Sequence, residues 1–175
     1  MSGLQPGSTG IELALAALSD APAQFERVLA VVPPQLLTWE PPDWEAIPGE
    51  RFSALGQLCH VRDIEIEGYH VRFQRMFEEE RPDLASLDGY EMARRHDYAR
   101  ADPARAVASF RAARVETVAR LRRADHRELE RRGTFAEYGE VSVRGLVHIL
   151  CSHDQQHLAC LHWLLARIAS AKAAT

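Results

Sequence analysis

Long hydrophobic runs are missing from this chain of 175 residues. Nowhere do about 18 apolar residues follow one another, so no segment is expected to span a membrane. An excess of positive charge is missing too. With 21 Lys and Arg against 25 Asp and Glu, the formal net charge is -4, and no global basic field invites nucleic acid. Cysteine is scarce: Cys59, Cys151 and Cys160 make an odd set in no disulfide-like frame, so the expected setting is the reducing cytoplasm. The opening MSGLQPGSTGIE has neither a basic n-region nor an apolar h-region, and no secretory signal is expected there. Strand signals are almost absent, as are internal repeats and low-complexity segments. What is present is ordinary for a globular protein, with 46% hydrophobic and 26% charged residues. The length suits one domain over residues 1–175 with its own core, fraying at residues 1–8 and 170–175.

Helical periodicity fills the chain instead. Thr9 and Glu12 form a capping-box pattern, followed by Ile11, Leu15, Leu18, Phe25, Val28, Leu29 and Val32 at helical spacing. Pro22 falls inside that pattern, so a kink or restart is expected there. Residues 33–50 hold five of the nine prolines plus Gly49 and read as an irregular connection, with Trp39 and Trp44 packed back onto the helices. Ser53 is the expected N-cap of a second helix that Pro82 stops. Asp102-Pro103 announces a third, which ends in the basic run Arg120 to Arg123. Cations there suit the negative end of the helix dipole better than they mark a phosphate site. Asp125 and Glu128 form a short capping box leading to a turn at Gly133, and Ser142 caps the last helix. The predicted helices cover residues 10–32, 53–80, 103–123 and 142–169, with no sheet. The expected fold is therefore all-α, an antiparallel four-helix bundle with long connections.

The stretch HILCSHDQQHLACLHWLL, residues 148–165, places four histidines and two cysteines in a segment that otherwise reads as a buried helix. Histidine is a poor core residue and a mediocre helix former. Leu146, Leu150, His153, His157, Cys160 and Leu164 follow steps of four and three, the seam of a bundle. His153 and His157 stand one turn apart on that seam, the spacing at which two imidazoles can share one metal ion. His162 falls about half a turn away, and His148 lies off the stripe. A catalytic metal of this kind normally takes three protein ligands, so the third must come from another helix. His60, within SALGQLCHVRDIE on the second helix, is the best candidate; His70, His96 and His126 have mostly polar neighbours. The competing reading is three core histidines, each satisfied by a hydrogen bond. HDQQH differs from the zinc-peptidase pattern H-E-x-x-H by carrying Asp154, one methylene shorter, where that pattern needs glutamate. Cys160 follows His157 by one turn and either lines the site or fills space as a small hydrophobe, while Cys59 is expected to pack.

The first helix interrupted by APAQF, the loop LLTWEPPDWE, the segment ALGQLCHVRDIE and the closing GEVSVRGLVHILCSHDQQHL together resemble the DinB-like superfamily. That group includes the YfiT-like proteins and the bacillithiol- and mycothiol-dependent enzymes. Where those proteins often have Trp-Ser before the second-helix histidine, this chain has Phe52-Ser53. The resemblance implies a four-helix bundle with a three-histidine metal site, one histidine from the second helix and an H-x-x-x-H pair from the last. By motif these are His60, His153 and His157, the three already selected by burial and spacing.

Three neutral imidazoles leave a divalent ion its full charge and open positions, from which it can acidify a bound water or hold a thiol as thiolate. With the resemblance, the first expectation is transfer of a low-molecular-weight thiol to an electrophile, in detoxification or stress response. The alternatives are a metal-dependent hydrolase and a non-catalytic stress-response metal-binding protein. Zinc, nickel, iron and manganese all accept imidazole ligands. Asp63 and Glu67, three and seven residues after His60, are candidates to orient a ligand imidazole or to act as general base; the competing reading is an ion pair at the bundle mouth. The expected partners are a small-molecule thiol and an electrophile, with no nucleic acid and no membrane, and a homodimer is carried as an open assembly.

Overall fold

In the computed structural model, which describes residues 6–173, four long helical segments form the body of the protein. The first, α1, spans Pro6–Ala30 and already runs at Pro6, so Thr9 lies within the helix rather than at its cap. It also carries through Pro22 without a restart. Proline has no N–H, so the carbonyl of Leu18, four residues earlier, loses its helical partner. A buried guanidinium replaces that partner: Arg114 Nη1 donates to Leu18 O at 3.0 Å.

The connection to the second helix holds a short 3₁₀ turn at Pro34–Leu36 and packs back on the core, as expected. Trp44 stacks on Trp163 with ring centroids 6.0 Å apart. The second helical run has three parts: α2 (Ala54–Asp63), a π-turn (Ile64–Tyr69) and α3 (His70–Glu78). Ser53 caps it, its hydroxyl accepting from Gly56 N–H at 3.2 Å. The wider π-turn re-aims every residue after it, and such turns occur often at functional sites. Then follow α4 (Gly89–Arg95), α5 (Pro103–Arg123), the single turn α6 (His126–Leu129) and α7 (Val143–Ala173). Asp102, the Asp125–Glu128 capping box and Ser142 cap α5, α6 and α7 as read from the sequence. Of the ends expected to fray, residues 1–5 and 174–175 lie outside the described residues, while 6–8 and 170–173 are helical.

The expectation of no sheet is corrected. Strands β1 (Asp83–Leu84), β2 (Arg132–Phe135) and β3 (Gly139–Ser142) form a small sheet in that order. β1 pairs parallel with β2, and β2 antiparallel with β3. Gly133, expected in a turn, sits inside β2. A Cβ there would lie 2.7 Å from both Met76 Sδ and Pro82 O, so only glycine lets this strand lie so close to the end of α3. Strands of two to four residues show no usable alternation in sequence, which is why they escaped the periodicity reading.

α1 packs against α5 and α7, and α2 against the same two helices. The apolar side chains separate into two groups. One contains Leu15, Leu18, Phe73, Val118 and Leu150; the other contains Phe25, Leu58, Phe110, Leu161 and Leu164. Along α1, α5 and α7 these groups flank a buried polar layer. At its centre Arg114, 1% exposed, donates to Glu65 through Nε and Nη2, both at 3.0 Å, and to Asp154 through Nη1 at 2.5 Å and Nη2 at 3.2 Å. Thr117 Oγ1 also donates to Glu65 at 2.5 Å. Burial pushes the Asp154 carboxyl up to about 6 against the opposing pull of Arg114. The aspartate of HDQQH is thus committed to this network. Among the described residues, no helix is long and apolar enough to cross a membrane.

Candidate metal centre

The second half of the polar layer is a cluster of imidazoles. His153 and His157 project from consecutive turns of α7 with ring centroids 4.4 Å apart. His60, buried on α2, faces both, at 5.2 Å and 4.5 Å between centroids. His60 Nε2 lies 3.2 Å from His153 Nε2. The loop before α2 brings a carboxylate to the same point: Glu50 Oε2 lies 3.0 Å from His60 Nε2 and 3.5 Å from His157 Nε2. Each of these four residues offers one ligand atom, and the four atoms all lie within 4.8 Å of one another.

The hydrogen bonds around Gln57 decide the protonation of His157. The Gln57 amide nitrogen donates to the carbonyls of Glu50 and Phe52, at 2.9 Å and 3.2 Å, which orients the side chain. Its oxygen must then accept from His157 Nδ1–H, at 2.5 Å. A neutral imidazole protonated on Nδ1 presents a bare lone pair on Nε2, and that buried atom has no hydrogen-bond partner. The Nδ1 atoms of His60 and His153 are likewise unpartnered. Burial lowers the pKa of His153 well below the ordinary histidine value, helped by the fields of His157 and His60. Burial also lowers that of His157, against the opposing negative charge of Glu50, whose Oε2 lies 3.5 Å from Nε2. Both rings are therefore neutral at pH 7, the form that binds metal. Burial opposes charge on Glu50, but the adjoining His157 and His60 outweigh it and hold the carboxyl well below the carboxylate range.

Close packing keeps these groups in place. Phe52 stacks on the His60 ring at 5.1 Å. Gly89, the first residue of α4, lies against the opposite side: a Cβ there would sit 2.6 Å from both Glu50 Oε1 and His60 Cε1. Beside the cluster opens a cavity of about 230 Å³ whose lining includes Glu50, His60, His153, Tyr69, Arg72 and Phe135.

The structure thus brings together His60, His153 and His157, and adds Glu50. It does not bring in Asp63 or Glu67. Asp63 is paired with its neighbour Arg62, at 2.6 Å and 2.7 Å. Glu67, carried away by the π-turn, pairs with Arg95 and with His96, the latter at 2.6 Å. The carboxylate beside the histidines is Glu50, and the group orienting the His157 imidazole is the amide of Gln57. Glu50 had only a faint signal, an acid after Pro48-Gly49 just ahead of a helix cap. Gln57 lies one turn before His60. Cys160 is buried near Gly49 and outside the four-residue cluster, and burial pushes its thiol up to about 11. His148 and His162 are exposed, as expected.

Residues 17–161 match the DinB superfamily. Among solved structures, the chain is similar to YfiT from Bacillus subtilis, described as a probable metal-dependent hydrolase with an unusual four-helix bundle topology. The likeness has a TM-score of 0.79 at 16% identity and covers 97% of this chain and 92% of that one, which shows a shared fold. No curated protein matches.

Proposed function

The chain belongs to the DinB superfamily, and from that premise we propose that it is an enzyme working with a divalent metal ion held by His60, His153 and His157. The observation that carries this reading is the convergence of three imidazoles and one carboxylate on a single point at the wall of a cavity. A side chain kept only for packing would not leave the buried Nε2 of His157, at the point where the four residues meet, without a hydrogen bond. A divalent ion there would act as a Lewis acid and lower the pKa of a small nucleophile. The donor set suits zinc, nickel, iron or manganese.

The reaction best supported is hydrolysis. Gln57 holds His157 in the tautomer that presents Nε2 to the site. Glu50, half-buried and ionised, lies 3.5 Å from that nitrogen and lines the cavity, where it can accept a hydrogen bond from water and orient it. The second reading is transfer of a small thiol to an electrophile. It is favoured by the state of the protein's own sulfurs: burial pushes Cys59, Cys151 and Cys160 each up to about 11, so a thiolate nucleophile has to come from outside.

Elemental analysis of untagged protein, with assays of p-nitrophenyl acetate hydrolysis and of thiol conjugation to monochlorobimane, tests both. The hydrolase predicts metal in the purified protein and ester cleavage without added thiol. Cleavage should fall in His157→Ala together with metal content, and in Glu50→Gln with less loss of metal. Thiol conjugation without hydrolysis would transfer the assignment to the second reading. Equal metal and equal activity in His157→Ala would end both.

A further inference from the structure

The cavity beside the histidines is also lined by a charge that no carboxylate among the described residues balances. Arg72, on α3, is only 5% exposed. Its Nε and Nη2 both donate to the carbonyl of Ala85, at 3.1 Å and 2.8 Å. Its Cζ lies 5.0 Å from the Tyr69 ring centroid and 4.5 Å from that of Phe135. Among the described residues, no carboxylate comes within ion-pair distance. Arg114, also buried in the same bundle, is held by two. A peptide carbonyl and two aromatic faces satisfy donors and soften the charge, but they do not neutralise it, and an unpaired buried charge is costly. The guanidinium nonetheless stays protonated, as arginine does in proteins.

The surroundings make room for this group. Gly68, in the π-turn, faces Nη1, and a Cβ there would lie 2.9 Å from that nitrogen. Among the described residues Nη1 makes no hydrogen bond, and Arg72 lines the same cavity as Glu50, His60 and His153. Tyr69 adjoins both groups, its ring centroid 6.3 Å from that of His153 and 5.0 Å from Arg72 Cζ.

We propose that Arg72 is the anion-recognition residue of this cavity and binds the carboxylate of a small organic substrate. This deepens the enzyme reading and rests on it in taking the cavity as the substrate site. The charge argues for a monoanion, since one guanidinium balances one negative charge. The planar Nη1–Nη2 edge matches the two oxygens of a carboxylate. The volume sets the size. The cavity, about 230 Å³, admits a small organic molecule. A carboxylate seated on Arg72 directs the rest of such a molecule past Tyr69 toward His153 and Glu50. The substrate class is therefore a short carboxylic acid whose reacting group lies at the end away from the carboxylate.

The test is isothermal titration of metal-stripped protein with benzoate, benzamide and phenyl phosphate. Benzoate should bind at least about tenfold more tightly than benzamide, because only the acid forms the charge-assisted pair. Arg72→Gln, checked for folding by circular dichroism, should lose that preference, and Gly68→Ala should weaken it by crowding Nη1. The comparison of acid with amide needs no variant, so it decides even if Arg72→Gln does not fold. Equal affinity for acid and amide, no binding of the acid, or undiminished preference in folded Arg72→Gln would overturn the proposal. Tighter binding of phenyl phosphate than of benzoate would overturn the carboxylate assignment. Because the titration is done without metal, protein that prefers benzoate but never holds metal would sink the enzyme reading alone. Protein that holds metal without that preference would sink this inference alone.

Discussion

Replacing Gly89 with alanine should disturb the histidine cluster, and the same change at Gly10 should not. Neither glycine has a positive φ, so alanine is allowed on both backbones. In a helix, alanine gains about 0.5–1 kcal/mol over glycine. A Cβ at Gly10 would meet nothing within 4 Å, so that gain should appear in full. At Gly89 the Cβ would lie 2.6 Å from Glu50 Oε1, 2.6 Å from His60 Cε1 and 2.9 Å from His60 Nδ1. Carbon atoms rest about 3.5–4.0 Å apart, so the ring or the carboxylate must move by about 1 Å. Overpacking of this kind costs about 1–3 kcal/mol, which outweighs the gain in helix propensity. The net should be a loss of about 1–2 kcal/mol, read as a urea midpoint lowered by about 0.5–1 M in metal-free protein. Because both displaced groups belong to the cluster, metal affinity should fall about 10- to 100-fold in competition with a chromophoric chelator. If Gly89→Ala were stabilised as much as Gly10→Ala and bound metal as the parent does, the close approach of α4 would not be what holds these side chains.

Gln57→Leu removes the acceptor of His157 Nδ1–H and the donor to two carbonyls. Metal affinity should fall about 10- to 100-fold, and full occupancy of the purified variant at low free metal would refute the role given to the amide. Arg114→Met leaves Glu65 and Asp154 buried without their cation and should cost about 3–5 kcal/mol in chemical denaturation. Without the pull of Arg114, burial and the Glu65 charge both raise the Asp154 carboxyl, so that loss should shrink as the pH falls and the carboxyl takes up a proton; a pH-independent loss would argue against two buried carboxylates. Metal-free protein should lose stability as the pH drops through about 6.5. His153 and His157 have folded pKa values below their unfolded ones, so the unfolded chain binds more protons in that range. Each histidine contributes up to about 1.4 kcal/mol per pH unit, and below about 6 proton uptake by folded Asp154 works against the trend. A denaturation midpoint that stays flat from pH 7.5 to 6 would contradict the lowered histidine values.

Helix positions were legible because caps and periodicity act over a few residues. Ser53, Asp102, Asp125 and Ser142 each close a ring with a backbone N–H three positions on, whatever the rest of the chain does. The pairing of His153 with His157 was legible for the same reason, since one helical turn fixes their separation. Tertiary structure alone decided the rest. The π-turn follows from a shifted hydrogen-bond ladder that no residue type announces, and it sends Glu65 to Arg114 and Glu67 to Arg95 and His96. Asp63 was lost to the histidines because Arg62, its neighbour, holds both carboxylate oxygens. Glu50 and Gly89 come to His60 from a loop and from a separate helix, and β1 pairs with β2 about fifty residues further along the sequence. Local hydrogen bonds and helical spacing are encoded in neighbouring residues. The partner of a buried charge is chosen by which distant segments meet in the folded core, where a lone charge is costly.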